Sequence, residues 1–320
     1  MRTVLLGYGN VGKSFAKLLE SKRHIYPFPI VGILTKHHGS AFNPKGLSTD
    51  PKFEPGAVTV DEFLDRTRPS VLVEITTLNP ESGEPAISHI RSAFSKKIHV
   101  ITANKGPIAH AYAELLGEAQ KAGVEFRFES TVMDGTPVFN KFRNTLPGIK
   151  VLGFTGVLNS TSKVVVGAMA GGFSLEDGIK EARAMGVAEA DASFDIDGWD
   201  SAAKAAALAN VLMDGRVKPQ DVERAGIRTF STEQIVQLAR EGKTVLIVSR
   251  GERTRAGLRL QAKAEVIPLT DLLATAQGTS NILLFHTDLM GTLGTISINP
   301  GVEQTAYGLF SDLVDVARSV

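Results

Sequence analysis

The chain has 320 residues, of which 43% are hydrophobic and 22% are charged, a composition typical of a globular protein with room for two domains. A formal net charge of +1 gives no reason to expect binding to nucleic acid or to an anionic membrane. The absence of cysteine excludes disulfides, thiolate catalysis and thiolate metal sites. With no signal-peptide pattern and no apolar run near the ~20 residues of a membrane span, the sequence predicts a cytoplasmic protein.

In the first half of the chain, short apolar runs alternate with helical patterns. Residues 4–6 form an apolar run that leads through a glycine turn into a helix with apolar residues at helical spacing. Further strands are predicted at 29–35, 70–76, 99–105 and 124–130, and helices at 85–97 and 111–123. This alternation predicts an α/β fold of the Rossmann type, a doubly wound parallel sheet with helices on both faces.

After about residue 135 the pattern changes. It predicts a strand at 150–159, a helix at 174–186 that begins with a capping serine, and a hairpin at 243–267 around a glycine turn. The last stretch, 303–319, is again an amphipathic helix, which we expect to return to the first domain. We therefore predict a dinucleotide-binding domain of residues 1–134 with 302–320, and a mixed α+β domain of residues 135–301.

The first glycine turn, "GYGNVG", matches the pattern G-x-G-x-x-G. Gly7 would permit the tight turn, Gly9 would let a pyrophosphate approach the backbone, and Gly12 would allow close helix packing. Asn10 and Val11 complete the predicted cofactor contact, because the helix N-terminus offers N–H groups to a phosphate. The alternative is an ordinary tight turn with chance glycines, but the strand before it and the helix after it favour a dinucleotide site.

The second strand ends in "ILTKHHGS", without the acid that usually binds the ribose hydroxyls of NAD. Lys36 could instead bind the 2′-phosphate of NADP. The alternative is that Lys36 is a solvated loop residue. The sequence therefore favours NADP over NAD as the cofactor.

The stretch "FDIDGWDSAAKAAALA" joins an acid-rich loop to an alanine helix with one charged side chain, that of Lys204. Asp200 lies four residues earlier, so the two side chains share one helix face. That face is either a solvated edge with a weak ion pair or the wall of a reaction site. The acids of this loop do not have the spacing of a calcium loop, and the histidines show no zinc-binding pair.

Four stretches together resemble homoserine dehydrogenase in its short form, without a fused kinase or a regulatory domain. They are "VEITTLNPESGEP", "VITANKGPIA", "FESTVMDGTP" and "GVAEADASFDIDGWDSAAKAAALAN". The resemblance implies reversible hydride transfer between a nicotinamide cofactor and L-homoserine, which gives L-aspartate 4-semialdehyde. This step belongs to the biosynthesis of threonine and methionine.

The resemblance also implies site residues. Lys204 matches the catalytic lysine, and Asp200 matches the acid that orients lysine and substrate. Glu189 matches the residue that binds the substrate's amino group, and Lys105 matches a lysine near both nicotinamide and substrate. Cofactor contacts are implied at Thr76, Gly186 and Gly301. The chemistry agrees with this set, because an ammonium can stabilise the negative charge that grows on a reduced carbonyl oxygen and can supply its proton.

Two further features are implied by the resemblance: a homodimer formed through the second domain, and a monovalent cation, Na⁺, near a loop that departs from the family pattern. The expected cation ligands are Glu129, Val132, Asp134 and Thr136. Ser160 and Lys163 also depart from the pattern, which leaves an oxidoreductase acting on another amino acid or semialdehyde as an alternative. A non-catalytic dinucleotide-binding sensor is a second alternative, although it would be expected to lack Lys105 or Lys204.

Overall fold

The computed structural model of the protein describes residues 1–188 and 191–320. The chain forms two compact units, Met1–Phe139 with Gly301–Val320, and Asn140–Pro300. No helix within the described part of the chain is long and apolar enough to cross a membrane.

Across residues 1–188 and 191–320, twelve strands form two six-stranded sheets. The strands are β1 (Thr3–Leu6), β2 (Ile30–Thr35), β3 (Gly39–Phe42), β4 (Val71–Glu74), β5 (His99–Thr102), β6 (Phe126–Arg127), β7 (Val151–Val157), β8 (Glu223–Ala225), β9 (Lys243–Thr254), β10 (Gly257–Pro268), β11 (Asn281–Thr287) and β12 (Thr292–Ser297). The helices are α1 (Asn10–Lys22), α2 (Val60–Thr67), α3 (Ala86–Ser95), α4 (Lys105–Ala122), α5 (Phe139–Thr145), α6 (Ser160–Ala170), α7 (Leu175–Ala184), α8 (Ser193–Ile196), α9 (Trp199–Leu212), α10 (Thr232–Arg240) and α11 (Val302–Ser319).

The first sheet has the order β3-β2-β1-β4-β5-β6, and its strands are parallel except for β3, which runs antiparallel to β2. Chain order reverses between β1 and β4, which is where ligands bind in doubly wound folds. β1 and β4 are buried along their whole length, as expected for strands covered by helices on both faces. The prediction of a Rossmann-type sheet is confirmed.

The C-terminal helix α11 belongs to the first unit and contacts α1. Leu309 and Leu313 of α11 join Phe15 of α1 and Leu5 of β1 in one buried cluster. Every third or fourth residue of α11 is apolar, so one face of this helix is buried in that core. The predicted return of the last helix to the nucleotide domain is thus confirmed.

The second sheet has the order β12-β11-β7-β9-β10-β8. Its centre is the predicted hairpin, in which β9 and β10 pair antiparallel over twelve residues each. Helices α6, α9 and α10 contact β9. The expectation of a mixed α+β second domain is confirmed.

Several elements differ from the sequence prediction. The strand predicted at 99–105 ends at Thr102, because Asn104 caps a helix that begins at Lys105. The strand predicted at 124–130 is reduced to two residues, and Glu129–Thr131 forms a 3-10 turn. Several elements were not predicted at all, among them β3, α2, α10, β11 and β12.

Candidate active site

The turn between β1 and α1 requires glycine at its first position. Gly7 has a φ of +101°, which residues with a Cβ rarely adopt, and a Cβ there would lie 2.5 Å from the carbonyl oxygen of Ile75. A Cβ at Gly12 would lie 3.0 Å from the side chain of the same isoleucine. These two glycines let α1 pack closely against the loop that follows β4.

Gly9 is different, because a Cβ built at this position meets no atom within 4 Å. Gly9 is the N-cap residue of α1 and has no side chain that could cap the helix. The N–H groups of the first helical turn, which starts with Asn10 and Val11, therefore receive no side-chain cap from it. Open space beside a helix N-terminus is what a pyrophosphate needs. The turn therefore fits a dinucleotide, and its residues are those that the glycine pattern predicts.

The carboxyl ends of β4 and β5 carry two more predicted cofactor residues. Thr76 follows β4, and Lys105 is the first residue of α4, directly after β5. Since β1, β4 and β5 are parallel neighbours, these residues lie at the same edge of the sheet as the glycine turn. The side chain of Asn104 accepts a hydrogen bond from the N–H of Gly106 at 3.0 Å and so fixes the start of α4.

At the end of β2, Lys36, His37 and His38 are exposed, and Thr35 closes the strand. The Thr35 hydroxyl accepts a hydrogen bond from the N–H of His38 at 2.9 Å and holds this turn. The structure thus presents a cationic turn, without a carboxylate, at the position where the ribose of the cofactor's adenosine binds in this fold.

The two glycines predicted near the nicotinamide lie in different units. Gly301 precedes α11, and its N–H donates to the side chain of Gln304 at 2.8 Å. Gly186 follows α7 with a φ of +72°, in the left-handed region that glycine favours. Glu189, the predicted partner of the substrate's amino group, lies outside the described residues.

In the second unit, Lys204 and Asp200 form a largely buried ion pair on α9. The Lys204 Nζ atom lies 2.9 Å from Asp200 Oδ2, and the two side chains are 16% and 9% exposed. Nζ also donates to the carbonyl oxygen of Leu158 at 2.6 Å. The alternative of a solvated surface pair is therefore wrong, and the alanines beside Lys204 are small because this helix is packed on several sides.

Asn159 organises the acids around this pair, and the sequence analysis gave it no role. Its Nδ2 atom donates to Asp200 Oδ2 at 2.9 Å and to Asp195 Oδ1 at 2.6 Å, while its Oδ1 accepts from the N–H of Ser162 and caps α6. Burial, followed by the charge of Asp200, raises the pKa of Asp195 above its usual range. Asp195 was visible in the sequence only as one acid of the run, because its connection to Asn159 spans 36 residues.

The two positions that depart from the family pattern have structural partners. Lys163 is buried in α6, and its Nζ donates to the carbonyl oxygen of Ser280. The Ser160 hydroxyl donates to the carbonyl oxygen of Thr279 at 3.3 Å. Both side chains thus tie α6 to the segment before β11.

The predicted cation loop contains one buried carboxylate, that of Glu129. Its Oε1 accepts from the N–H groups of Val138 and Phe139, at 2.5 Å and 2.9 Å, where α5 begins. Val132 is buried, and Asp134 has a φ of +53°. The N–H of Thr136 donates to the carbonyl oxygen of Met133. Across residues 1–188 and 191–320, no group of three or more His, Asp or Glu side chains is arranged to hold a metal ion.

A glycine turn that leaves room for a pyrophosphate, at the switch point of a parallel sheet, defines a dinucleotide-binding protein. With a buried lysine–aspartate pair in its second unit, the chain has the makeup of a nicotinamide-dependent oxidoreductase. Two family models match it: "Homoserine dehydrogenase, NAD binding domain" over residues 7–129, and "Homoserine dehydrogenase" over residues 137–314. The chain belongs to the homoserine dehydrogenase family, and its activity is the NAD(P)-dependent interconversion of L-homoserine and L-aspartate 4-semialdehyde.

Three similar proteins match this chain over nearly their whole length. The homoserine dehydrogenase of Methanocaldococcus jannaschii is 32% identical, with 100% of this chain and 99% of the relative covered. The NAD(+)-dependent homoserine dehydrogenase of Pseudomonas canavaninivorans is 31% identical, with coverage of 99% and 96%. The structure of a hyperthermophilic archaeal homoserine dehydrogenase in complex with NADPH superposes with a TM-score of 0.81 and 25% identity, covering 100% of this chain and 98% of that one.

Proposed function

We propose that Lys204 exchanges the proton with the reacting oxygen of the substrate and that Asp200 holds it in place. The observation that carries this proposal is the position of Nζ between two acceptors, the carbonyl oxygen of Leu158 at 2.6 Å and Asp200 Oδ2 at 2.9 Å. A buried ammonium anchored in this way has little rotational freedom left to lose when the substrate binds.

In the reducing direction, the carbonyl oxygen of the semialdehyde gains negative charge and takes a proton from Lys204 Nζ. In the oxidising direction, the homoserine hydroxyl returns that proton to Nζ. The bound nicotinamide supplies or accepts the hydride. Asp200 offsets the cost of burying the lysine charge, because an isolated buried ammonium would lose its proton.

The substrate's own ammonium needs an anion, and we assign this role to Glu189 together with Asp200. Asp195 is a further candidate, because Asn159 Nδ2 donates to it as well as to Asp200. We propose that Asp195 helps to orient the substrate.

For the cofactor, we infer contacts at Thr76 and Lys105 and at the glycines of the nucleotide turn, with Gly186 and Gly301 nearer the nicotinamide. NADP is the preferred form, since the exposed Lys36 can pair with a 2′-phosphate. The archaeal NADPH complex supports this preference, and the NAD(+)-dependent Pseudomonas relative favours NAD. Rates measured with NADP and with NAD would therefore decide which cofactor the enzyme prefers.

We further propose that residues 1–134 with 302–320 form the cofactor domain and that residues 135–301 form the substrate domain. A Na⁺ ion would be held by the carboxylate of Glu129 and by backbone carbonyls of Val132, Asp134 and Thr136, which are oxygen donors suited to a hard cation. The Glu129 contacts to the start of α5 give this carboxylate a second, structural role.

A homodimer in the cytoplasm is the expected form of the enzyme. The dimer is supported by the outer edge of the second sheet, where β12 is the last strand. Exposed apolar side chains on and beside this strand include Ile296, Ile298 and Leu289. Edge strands and apolar patches of this kind are typical of protein interfaces.

The test of the proton-transfer role is the rate of nicotinamide absorbance change with L-homoserine for two matched variants. Lys204→Ala is expected to lower kcat by about 100-fold or more, the usual contribution of a positioned proton donor. Lys180→Ala is the control, because Lys180 also pairs with an aspartate on its own helix, at 2.8 Å, but is 73% exposed. A near-normal kcat of the Lys204→Ala variant would contradict the proton-transfer role proposed for Lys204.

A further inference from the structure

Glu74, the last residue of β4, has a carboxylate that the mechanism above does not use. Its side chain is 0% exposed, and β4 lies between β1 and β5 in the sheet. Taking a carboxylate out of water is costly unless several donors surround it. The identity of these donors therefore indicates the role of the buried Glu74 carboxylate.

The donors come from the two loops that carry predicted cofactor residues. Oε1 of Glu74 accepts from the N–H of Thr76 at 3.0 Å and from the Thr76 hydroxyl. The hydroxyl of Thr102, at the end of β5, lies 3.0 Å from Oε2 and 3.0 Å from the backbone carbonyl oxygen of the same glutamate. On the helix side, Nδ1 of His89 lies 4.0 Å from Oε1, beyond hydrogen-bond length.

A second set of bonds continues from these threonines to Lys105. The Thr102 hydroxyl accepts from the N–H of Asn104 at 2.9 Å, and Asn104 Nδ2 donates to the carbonyl oxygen of Thr76 at 3.3 Å. Asn104 is also the cap of α4, whose first residue is Lys105. One carboxylate thus connects the loop after β4 to the start of α4.

We propose that Glu74 is a positioning residue for cofactor binding and hydride transfer. It holds Thr76 and, through Thr102 and Asn104, the backbone that presents Lys105, without touching the reacting atoms itself. This inference rests on the roles proposed above for Thr76 and Lys105. Glutamate suits the position because a carboxylate offers two acceptor oxygens, and the three groups directed at it can all donate.

Glu74→Gln tests the inference, because it keeps the shape and replaces one acceptor oxygen with an NH₂ group that faces a donor. We expect a kcat with L-homoserine about 10- to 100-fold lower, since small displacements of positioning groups cost up to about 100-fold. We also expect weaker NADPH binding, measured by the fluorescence of the reduced nicotinamide without any substrate. Glu118→Gln is the matched control, because Glu118 forms a partly exposed pair with Arg91 on the helices.

A second pair of variants covers the case in which Glu74→Gln fails to fold. Thr102→Val removes the hydroxyl at nearly constant volume and should reproduce the loss, whereas Thr102→Ser keeps the hydroxyl and should retain most of the activity. A folded Glu74→Gln enzyme with wild-type NADPH affinity and kcat would overturn the inference. So would equal losses in Thr102→Val and Thr102→Ser.

The binding measurement separates this inference from the proposed function. If Lys105→Ala left turnover and NADPH binding unchanged, the role proposed for Lys105 would be wrong, and the Glu74 effect on NADPH binding would then act through Thr76 alone. If Lys204→Ala were fully active, the proton-transfer proposal would be wrong and the Glu74 measurement would still decide the positioning role.

Discussion

Asp195 and Asp200 are joined by a single donor, the Nδ2 group of Asn159, at 2.6 Å and 2.9 Å. Two carboxylates held this close repel one another when both are ionised. Lys204 neutralises Asp200 directly, whereas Asp195 is left with burial and a neighbouring negative charge, which together raise its pKa. The site therefore stores an electrostatic cost at Asp195.

The first prediction is that Asp195→Asn stabilises the protein while lowering its activity. A pKa above the ordinary aspartate value of 3.8 means that the folded state holds a proton that the unfolded state releases. Folded-state stability due to Asp195 is therefore present at low pH and is lost as pH rises through the raised pKa. The asparagine side chain does not ionise. The gain in unfolding free energy of Asp195→Asn over wild type should therefore be absent near pH 4 and present at neutral pH.

Urea unfolding of wild type and Asp195→Asn at a series of pH values measures this difference. A stability difference that stays constant with pH would contradict the prediction. The expected loss of kcat with L-homoserine follows the common conflict between stability and function at active sites.

The second prediction concerns Gly9 and uses Gly117 as its control. Both glycines have open space where a Cβ would lie, and Gly9 has a φ of −77° that alanine can adopt. Gly9→Ala should fold normally but raise the Kd for NADPH by about 10-fold or more, because a methyl group forced into a packed contact costs about 1–3 kcal/mol. Gly117→Ala, inside α4, should bind NADPH normally and gain about 0.5–1 kcal/mol of stability.

The third prediction concerns cofactor choice. Lys36→Ala should raise the KM for NADP by about 10-fold, since hydrogen bonds to charged groups contribute about 1.5–3 kcal/mol, and should leave the KM for NAD nearly unchanged. Lys121→Ala is the control, because Lys121 is an exposed lysine in the last turn of α4. Equal changes with both cofactors would mean that Lys36 does not contact the 2′-phosphate.

The fourth prediction concerns the proposed homodimer. Ile296→Lys combined with Ile298→Lys should shift the enzyme from dimer to monomer in sedimentation velocity, because two charges at an apolar interface cannot be desolvated cheaply. Ile25→Lys is the control, since Ile25 is similarly exposed, at 71%, but belongs to the first unit. An unchanged dimer in the double variant would place the interface elsewhere.

Local features of the site could be predicted from sequence. The glycine turn depends on backbone conformations within six residues, and the Asp200–Lys204 pair depends only on helical spacing. The burial of that pair could not be obtained in the same way, since an exposed pair has identical spacing. The alanines around Lys204 were the signal that favoured a buried site.

The features that sequence reasoning missed depend on contacts between distant segments. Asn159 bonds to residues 36 and 41 positions later in the chain, and Glu74 bonds to Thr102 across two parallel strands. The predicted end of β5 was wrong for a local reason. The Asn104 side chain accepts a hydrogen bond from the N–H of Gly106 and so starts a helix where the prediction had continued the strand. Asn104 lies three residues before Pro107, and an asparagine followed by a proline that fits the first helical turn was a signal that could have located this helix start.

The placement of α11 affects the order in which the two units can fold during translation. The second unit is one continuous segment, Asn140–Pro300, whereas the first unit needs Leu309 and Leu313 to fill its core. On the ribosome, the middle of the polypeptide can therefore complete its fold while the N-terminal sheet still waits for the final helix to emerge. Until then, Phe15 and its apolar neighbours in the first unit lack the contacts that α11 provides.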